Sequence, residues 1–426
     1  MSSKKDGKWQ WCIGERPPSV EAHSRVKHLV IKDYLSRYIR VLMTNPQIPR
    51  LSLTLVDGFA GGGVYQDECG ENVLGSPLLL LQTVAEAEVE LNVDRHTTPR
   101  HIDANYHFVE PHSSTFDHLE HMLGQYGHQA AVGTKIHLHR AKFGDIAPSI
   151  INAAASRTGE RALFLLDQYN YSDVDLRLVN RILTTLKGSE VLLTFNVDSL
   201  ISFLSDTSQS RKITGKIGLE SYVDWASIRL MKAVGRYREA IQRQLAAGIY
   251  KASGAKFMTL FFVTPQGSSP WSYWLVHLSN AYKANDVMKE VHWLYGNSFG
   301  HSLEPGVFQL GYQASRDYSV TGQNSLEFDT PSAFDDMLHA SSVENLREHL
   351  CARLFELETG LRFNDMVVSL ANSTNATANM IKEALHMPIR TGDIVAVTKD
   401  GGYRRKGLSL EPGDQLHFKQ KSFHLL

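Results

Sequence analysis

Cysteine is scarce: Cys12, Cys69 and Cys351 are the only three in 426 residues. They lie far apart without CxxC spacing, so neither a disulfide framework nor a cysteine-based zinc site is expected. No apolar run approaches the roughly 20 residues needed to span a bilayer, and the polar start Met1-Ser2-Ser3-Lys4-Lys5-Asp6-Gly7-Lys8 lacks the apolar core of a signal peptide. A cytoplasmic protein without a membrane partner is expected. Net charge is nearly absent as well, with 44 Lys and Arg against 45 Asp and Glu. Any nucleic-acid contact must therefore come from a local patch rather than a global field. Histidine is plentiful, at nineteen residues. His118 and His121 share a helix face and His137 and His139 a strand face, but neither pair has a third ligand at familiar spacing, and no metal site is expected.

The length exceeds a single core and implies two or three domains. Residues 1–20 read as an extension, and an amphipathic helix covers Glu21 to Met43, with Val26, Leu29, Val30, Leu35, Ile39 and Leu42 at helical spacing. Short apolar strands then alternate with helices. They centre on Leu51–Asp57, Tyr106–Glu110, Ile136–His139, Ala162–Asp167 and Glu190–Phe195. That alternation predicts an α/β fold with a doubly wound, mainly parallel sheet covered on both faces. A second helix opens at Gly75-Ser76-Pro77, with Ser76 as N-cap and Pro77 at the first helical position. A helical insertion with a locally basic composition occupies about 205–256, and Phe257–Thr264 with Trp271–Leu278 reads as a hairpin at the far edge of the sheet. The first domain is expected to span 21–300, followed by a Gly-, Ser- and Thr-rich linker over 301–340.

Residues 341–426 change character. Helices at Val343–Glu358, Asn364–Ala371 and Thr374–His386 precede strands at Asp393–Thr398 and Gln415–Lys419, which together predict a winged-helix domain. Thr374, Asn375, Thr377 and Asn379 at the start of the third helix suit a major groove, while Arg404, Arg405 and Lys406 stand where a wing meets phosphate. From Lys399 to Leu426 there are six Lys or Arg against three Asp or Glu. Nucleic acid is the partner this implies, and packing of the wing on protein is the competing reading.

The chemistry concentrates where an apolar run ends in an acid and meets four closely spaced glycines: Leu51 to Asp57, then Gly58-Phe59-Ala60-Gly61-Gly62-Gly63. Glycines let backbone N–H groups approach a charged ligand at φ values a Cβ forbids. Ligands of open parallel sheets sit outside the carboxyl ends of the strands, where Asp57, Glu110, Asp145 and Asp167 all fall. One carboxylate at Glu110 can accept from both hydroxyls of a ribose. Asp145 is placed to accept from an exocyclic adenine amine while Phe143 packs on the ring. Helix capping by Asp145 and an internally satisfied Glu110 are the plainer alternatives. Glu110 lies more than fifty residues past Gly58, not the roughly twenty of a dinucleotide site, and S-adenosylmethionine fits that long excursion better.

Asp57-Gly58-Phe59-Ala60-Gly61-Gly62-Gly63, Gly75-Ser76-Pro77, Phe108-Val109-Glu110, Gly144-Asp145 and Leu165-Leu166-Asp167, in this order, resemble the three-Cys-motif partner family of bacterial proteins, which looks like the class I S-adenosylmethionine-dependent methyltransferases. The resemblance covers the amino-terminal three quarters. It implies a Rossmann-like methyltransferase sheet and a three-Cys-motif protein as partner. The cofactor's amino-acid end is placed on Phe59 to Gly63, its ribose on Glu110 and its adenine beside Phe143 and Asp145. Asp57, Gly58, Phe59, Ala60, Gly61, Gly63, Glu110, Phe143 and Asp145 form the implied cofactor set. The resemblance also implies amino-methyl transfer, with Asp167 accepting from the target amine and Tyr169 and Tyr171 stacking on the substrate. The run Asp167-Gln168-Tyr169-Asn170-Tyr171 departs from the family pattern, because the proline that stiffens this turn is missing. The expected function is an S-adenosylmethionine-binding methyltransferase-like protein that acts on or docks to nucleic acid. The alternative is a catalytically degenerate subunit that assembles with the three-Cys-motif protein.

Overall fold

The computed structural model describes residues 10–96, 98–168, 172–196, 199–201, 204–234, 237–263, 273–295, 336–357 and 359–419. The chain divides into two compact units, one reaching to Ala284 and one beginning at Asn285.

In the first unit, helix α1 (Ala22–Leu42) precedes β1 (Arg50–Asp57). The excursion after the glycine turn folds as a small antiparallel hairpin of β2 (Val64–Gln66) and β3 (Asn72–Leu74). Helix α2 (Ser76–Asn92) follows. Its N-cap is Gly75, without a side-chain cap bond, so the expected role of Ser76 as cap is corrected and Pro77 falls one position deeper. The chain continues through β4 (His101–Val109), α3 (Ser113–Gln125), β5 (Ile136–His139), α4 (Phe143–Ala155), β6 (Arg161–Leu166), α5 (Leu176–Thr185) and β7 (Gly188–Phe195). Three helices, Ser208–Lys216, Trp225–Val234 and Tyr237–Ser253, lead to β8 (Phe257–Val263) and β9 (Tyr273–Ser279).

The seven main strands align in the order β5-β4-β1-β6-β7-β9-β8. The first five are parallel, β9 runs antiparallel to β7, and β8 runs antiparallel to β9. The order of the first five is that of a Rossmann-like sheet. Near-continuous burial of β1, β6 and β7 follows from helices covering both faces, and their apolar runs are what that burial requires. After β1 the chain moves outward through β4 and β5, then returns to the other side of β1 as β6. The reversal opens a crevice at the carboxyl ends of β1, β4 and β6, where ligands of such sheets bind.

The second unit carries most of the helix Tyr282–Tyr295, then Asp336–Glu356, β10 (Leu361–Arg362), Phe363–Leu370, Ala378–Ala384 and His386–Thr391. An antiparallel sheet of β10, β13 (Gln415–Phe418), β11 (Ile394–Val397) and β12 (Tyr403–Arg404) closes it, in that order. The helix expected over Thr374–His386 begins only at Ala378, with the Thr377 side chain accepting from the Met380 N–H as cap. Thr374, Asn375 and Thr377 are buried, so they are not open to a groove. The Thr374 hydroxyl accepts from the Ala376 N–H, and the Asn375 carbonyl accepts from the Trp293 indole at 3.0 Å. No helix among the described residues is long and apolar enough to cross a membrane.

Candidate functional site

The glycine turn hangs from both neighbours of β1. Gly58 N–H donates to the Leu165 carbonyl at 2.9 Å, and Ala60 N–H donates to the Val109 carbonyl at 3.0 Å. Gly61 and Gly63 take the left-handed conformation, at φ +59° and +86°, which a side chain rarely adopts. Gly58 and Gly62 have a different reason to be glycine. A Cβ on Gly58 would stand 2.8 Å from Leu166 Cδ2, and one on Gly62 would overlap the Trp11 indole. The turn is therefore shaped partly by packing, where the sequence suggested ligand approach throughout. Trp11, buried and donating to the Val64 carbonyl at 2.7 Å, lies against this turn. Nothing in the spacing of the first twenty residues announces it. His118, one of the histidines weighed for metal, pairs with the Gly62 carbonyl at 2.7 Å and supports the turn from α3.

Three carboxylates gather at the crevice. Asp57 is only 1% exposed. Its Oδ1 accepts from the Phe59 N–H at 3.1 Å, while Oδ2 is buried with no donor in hydrogen-bond geometry, the Ser76 hydroxyl being near the carboxyl without meeting that geometry. Burial pushes the carboxyl up to about 7; the Ser76 hydroxyl and the Phe59 N–H oppose this, and Asp167 and Glu110 add to it. Glu110 accepts from the His112 N–H at 2.8 Å and is also pushed up by burial, against the pull of the His112 and Gly61 N–H groups. Asp167 forms an ion pair with Lys27 Nζ, at 2.8 Å to Oδ1 and 2.6 Å to Oδ2. Its enclosed position works upward, but the Lys27 ammonium, the Thr194 hydroxyl and His28 outweigh that and hold it below its ordinary value.

Lys27 is buried at 8% side-chain exposure, whereas the Asp167 side chain keeps 40% of its surface accessible. The carboxylate is thus the accessible member of the pair and the lysine the buried one. Tyr65 stands among the three acids: burial first, then Asp167, Asp57 and Glu110, push its phenol upward. Its ring meets Trp11 edge-on at 5.4 Å and lies 6.0 Å from His28. Burial pushes His28 down to about 4, with Lys27 lowering it further and Asp167 opposing, so the imidazole is neutral at pH 7. The Lys27 ammonium lies 5.8 Å from the Tyr273 ring centre.

Helix α1 reaches Asp167 because it is fastened farther along. Tyr34 is seven residues after Lys27 and so lies on the same helix face. Its hydroxyl donates to the Glu190 carboxylate, which also pairs with His277 Nε2 at 2.9 Å, and all three side chains are buried. Glu190 lies beside Leu163, well before the carboxyl end of β6. The helix therefore crosses the sheet and brings Lys27 to its functional edge.

Phe143 is 3% exposed, and its ring lies against Gly58 and 6.3 Å from Phe59. The ring belongs to the hydrophobic core, with Phe164 6.5 Å away. Beside it, Gly144 faces open space and Asp145 is exposed in the first turn of α4, whose N-cap is Lys142. Gln168 folds inward to accept from the Val174 N–H at 2.9 Å. Tyr169 and Tyr171 lie outside the described residues. In the second unit Arg404 is held by Asp414 at 2.9 Å and Glu411 at 3.0 Å, while Arg405 and Lys406 are exposed. Among the described residues no group of three or more His, Cys, Asp or Glu is arranged to hold a metal ion.

No protein-family model and no curated protein matches the chain. Among solved structures, a Legionella pneumophila protein aligns over 61% of this chain and 85% of its own, at 10% identity and a TM-score of 0.32. The plantazolicin methyltransferase, solved with S-adenosylhomocysteine, aligns over 61% and 86%, at 11% identity and a TM-score of 0.28. Magnesium protoporphyrin IX methyltransferase of Synechocystis, solved with bound S-adenosylmethionine, aligns over 61% and 85%, at 9% identity and a TM-score of 0.24.

Proposed function

We propose that the first unit binds S-adenosylmethionine at the carboxyl edge of its sheet. The observation that carries this is Asp57, a buried carboxylate with one orphaned oxygen at the switch point of the strands, flanked by Glu110 and Asp167. Three acids against one lysine make a site that repels a pyrophosphate and attracts a ligand bearing ammonium and sulfonium charges. In this reading the orphaned Asp57 oxygen receives the ligand's ammonium, Glu110 its ribose hydroxyls, and Asp145 with the space at Gly144 its adenine. The bound cofactor supplies an electrophilic methyl group. An acceptor amine presented to that methyl group would have to keep its lone pair free, which the residues of the pocket would secure by accepting its N–H. Asp167 orients the amine by accepting its hydrogen bond.

The second reading is the degenerate subunit assembling with a three-Cys-motif protein, and it is favoured by Lys27 occupying part of Asp167 in a turn without proline. Calorimetry with the methyl donor and its demethylated product separates the two, since binding of neither leaves only the assembly role. If the donor binds, transfer of labelled methyl to DNA, RNA or tRNA, with Asp167→Ala as control, decides whether chemistry occurs. We read residues 341–426 as a winged helix that docks nucleic acid through Arg405 and Lys406. With Arg404 committed to Asp414 and Glu411, two neutralised phosphates give a log–log salt slope of about −1.8.

A further inference from the structure

We infer that Lys27 is a positioning residue: it fixes the Asp167 carboxylate with one side on its ammonium and the other facing the pocket, so that Asp167 is a permanent hydrogen-bond acceptor for a nitrogen-bearing substrate. This rests on the cofactor reading above and adds to it a residue and an acceptor class. Three observations converge. Both Asp167 oxygens lie within 2.8 Å of the lysine nitrogen, so the carboxylate cannot rotate freely. The lysine is buried while the acid is accessible, so the pair has an inner cation and an outer anion. The helix bearing Lys27 is pinned by the Tyr34–Glu190–His277 network, which leaves the ammonium little freedom to withdraw.

The other groups bearing on Asp167 do not replace Lys27. Thr194 from β7 donates one hydrogen bond, and the pull of His28 from α1 ranks below it; Asp57 from β1 and Tyr65 from β2 offer no cation. The Tyr273 ring from β9 lies 5.8 Å from the Lys27 nitrogen and brings no positive charge. With the lysine removed, a carboxylate that is still partly desolvated and beside Asp57 takes up a proton more readily and becomes a donor on part of its surface, which is wrong for an amine that must keep its lone pair free. An acceptor that stays ionised suits an N–H group and gives no help to a hydroxyl or thiol nucleophile, which needs its proton taken.

The test uses the full chain with Lys27→Met and Lys27→Arg. Carboxyl-carbon NMR of labelled aspartate, with Asp167→Asn for assignment, reads the ionisation of Asp167 directly. The expected result is titration below the ordinary aspartate range in the wild type and in Lys27→Arg, and a clear upward shift from the wild type in Lys27→Met. An unchanged titration in Lys27→Met overturns the inference. Calorimetry then compares S-adenosylhomocysteine with sinefungin, whose primary amine stands where the methyl group would be. The wild type should prefer sinefungin about tenfold from pH 5.5 to 8. Lys27→Met should keep that preference at pH 8 and lose it at pH 5.5, with Lys27→Arg restoring it and S-adenosylhomocysteine affinity equal among the three chains at each pH. A merely structural lysine would weaken both ligands together at every pH, which also overturns the inference. Failure of the wild type to bind S-adenosylhomocysteine would sink the cofactor reading and the acceptor role with it, while the NMR titration would still decide the pairing.

Discussion

Asp57→Asn should stabilise the ligand-free protein and cripple ligand binding at the same time. A carboxylate whose pKa rises from its ordinary 3.8 to about 7 in the folded state is held protonated by burial. Between those two values the folded chain binds more protons than the unfolded chain, so stability falls as pH rises through this window and stays low above it. At about 1.4 kcal/mol per pH unit, the penalty above pH 7 is roughly 4 kcal/mol. Asparagine keeps an oxygen for the Phe59 N–H, and it places an uncharged NH2 where the unpartnered Oδ2 stood, in the field of Asp167 and Glu110. If half the penalty is recovered, about 2 kcal/mol, the first unit's Tm should rise by about 4 °C at pH 8. At pH 4 the gain should vanish, because the native carboxyl is already protonated. Scanning calorimetry at both pH values reads this, and isothermal calorimetry with S-adenosylmethionine should show affinity reduced at least tenfold. An equal Tm for Asp57→Asn and wild type at pH 8, or an equal gain at both pH values, would refute the account of a strained acid waiting for a cation.

Glu110→Ala should reduce S-adenosylmethionine affinity about a hundredfold by calorimetry, since two charge-assisted hydrogen bonds are lost. Gly62→Ala should destabilise the protein by driving the Trp11 ring off the turn, whereas in a Trp11→Ala background the same change should cost far less; urea denaturation of the four chains gives that coupling. His107 is packed against His137 at 4.8 Å and His139 at 5.3 Å, and burial first, then its neighbours' charges, push it down to about 3 from 6.5. Its folded pKa lies below its unfolded one, so stability should drop as pH falls from 6.5 toward 3, by a few kcal/mol, and His107→Gln should flatten that acid limb in pH-dependent urea melts. If the second unit docks nucleic acid, Arg405→Ala with Lys406→Ala should bring the salt slope close to zero in anisotropy titrations, while Arg404→Ala should act mainly on stability.

Much of the first unit was legible because its signals are local. An apolar run such as Leu51 to Val56 is what a strand buried on both faces must be, and alternation with helices implies parallel pairing. Acids that end strands land at one edge of such a sheet whatever their spacing in the chain, so Asp57, Glu110 and Asp167 were identifiable as neighbours. Cap and boundary details were less legible. Gly75 rather than Ser76 caps α2, and the helix after Thr377 starts four residues later than expected, because buried contacts rather than propensity set those ends.

The sequence by itself determined the sheet, the glycine turn and the acids around it, since each depends on backbone geometry and period alone. Only the tertiary structure decided what those groups face. Trp11 meets the Val64 carbonyl across 53 residues, Lys27 meets Asp167 across 140, and Tyr34 meets Glu190 across 156. The charge state of a carboxylate and the openness of a glycine are set by whichever side chain arrives from far along the chain, and no local pattern encodes that arrival.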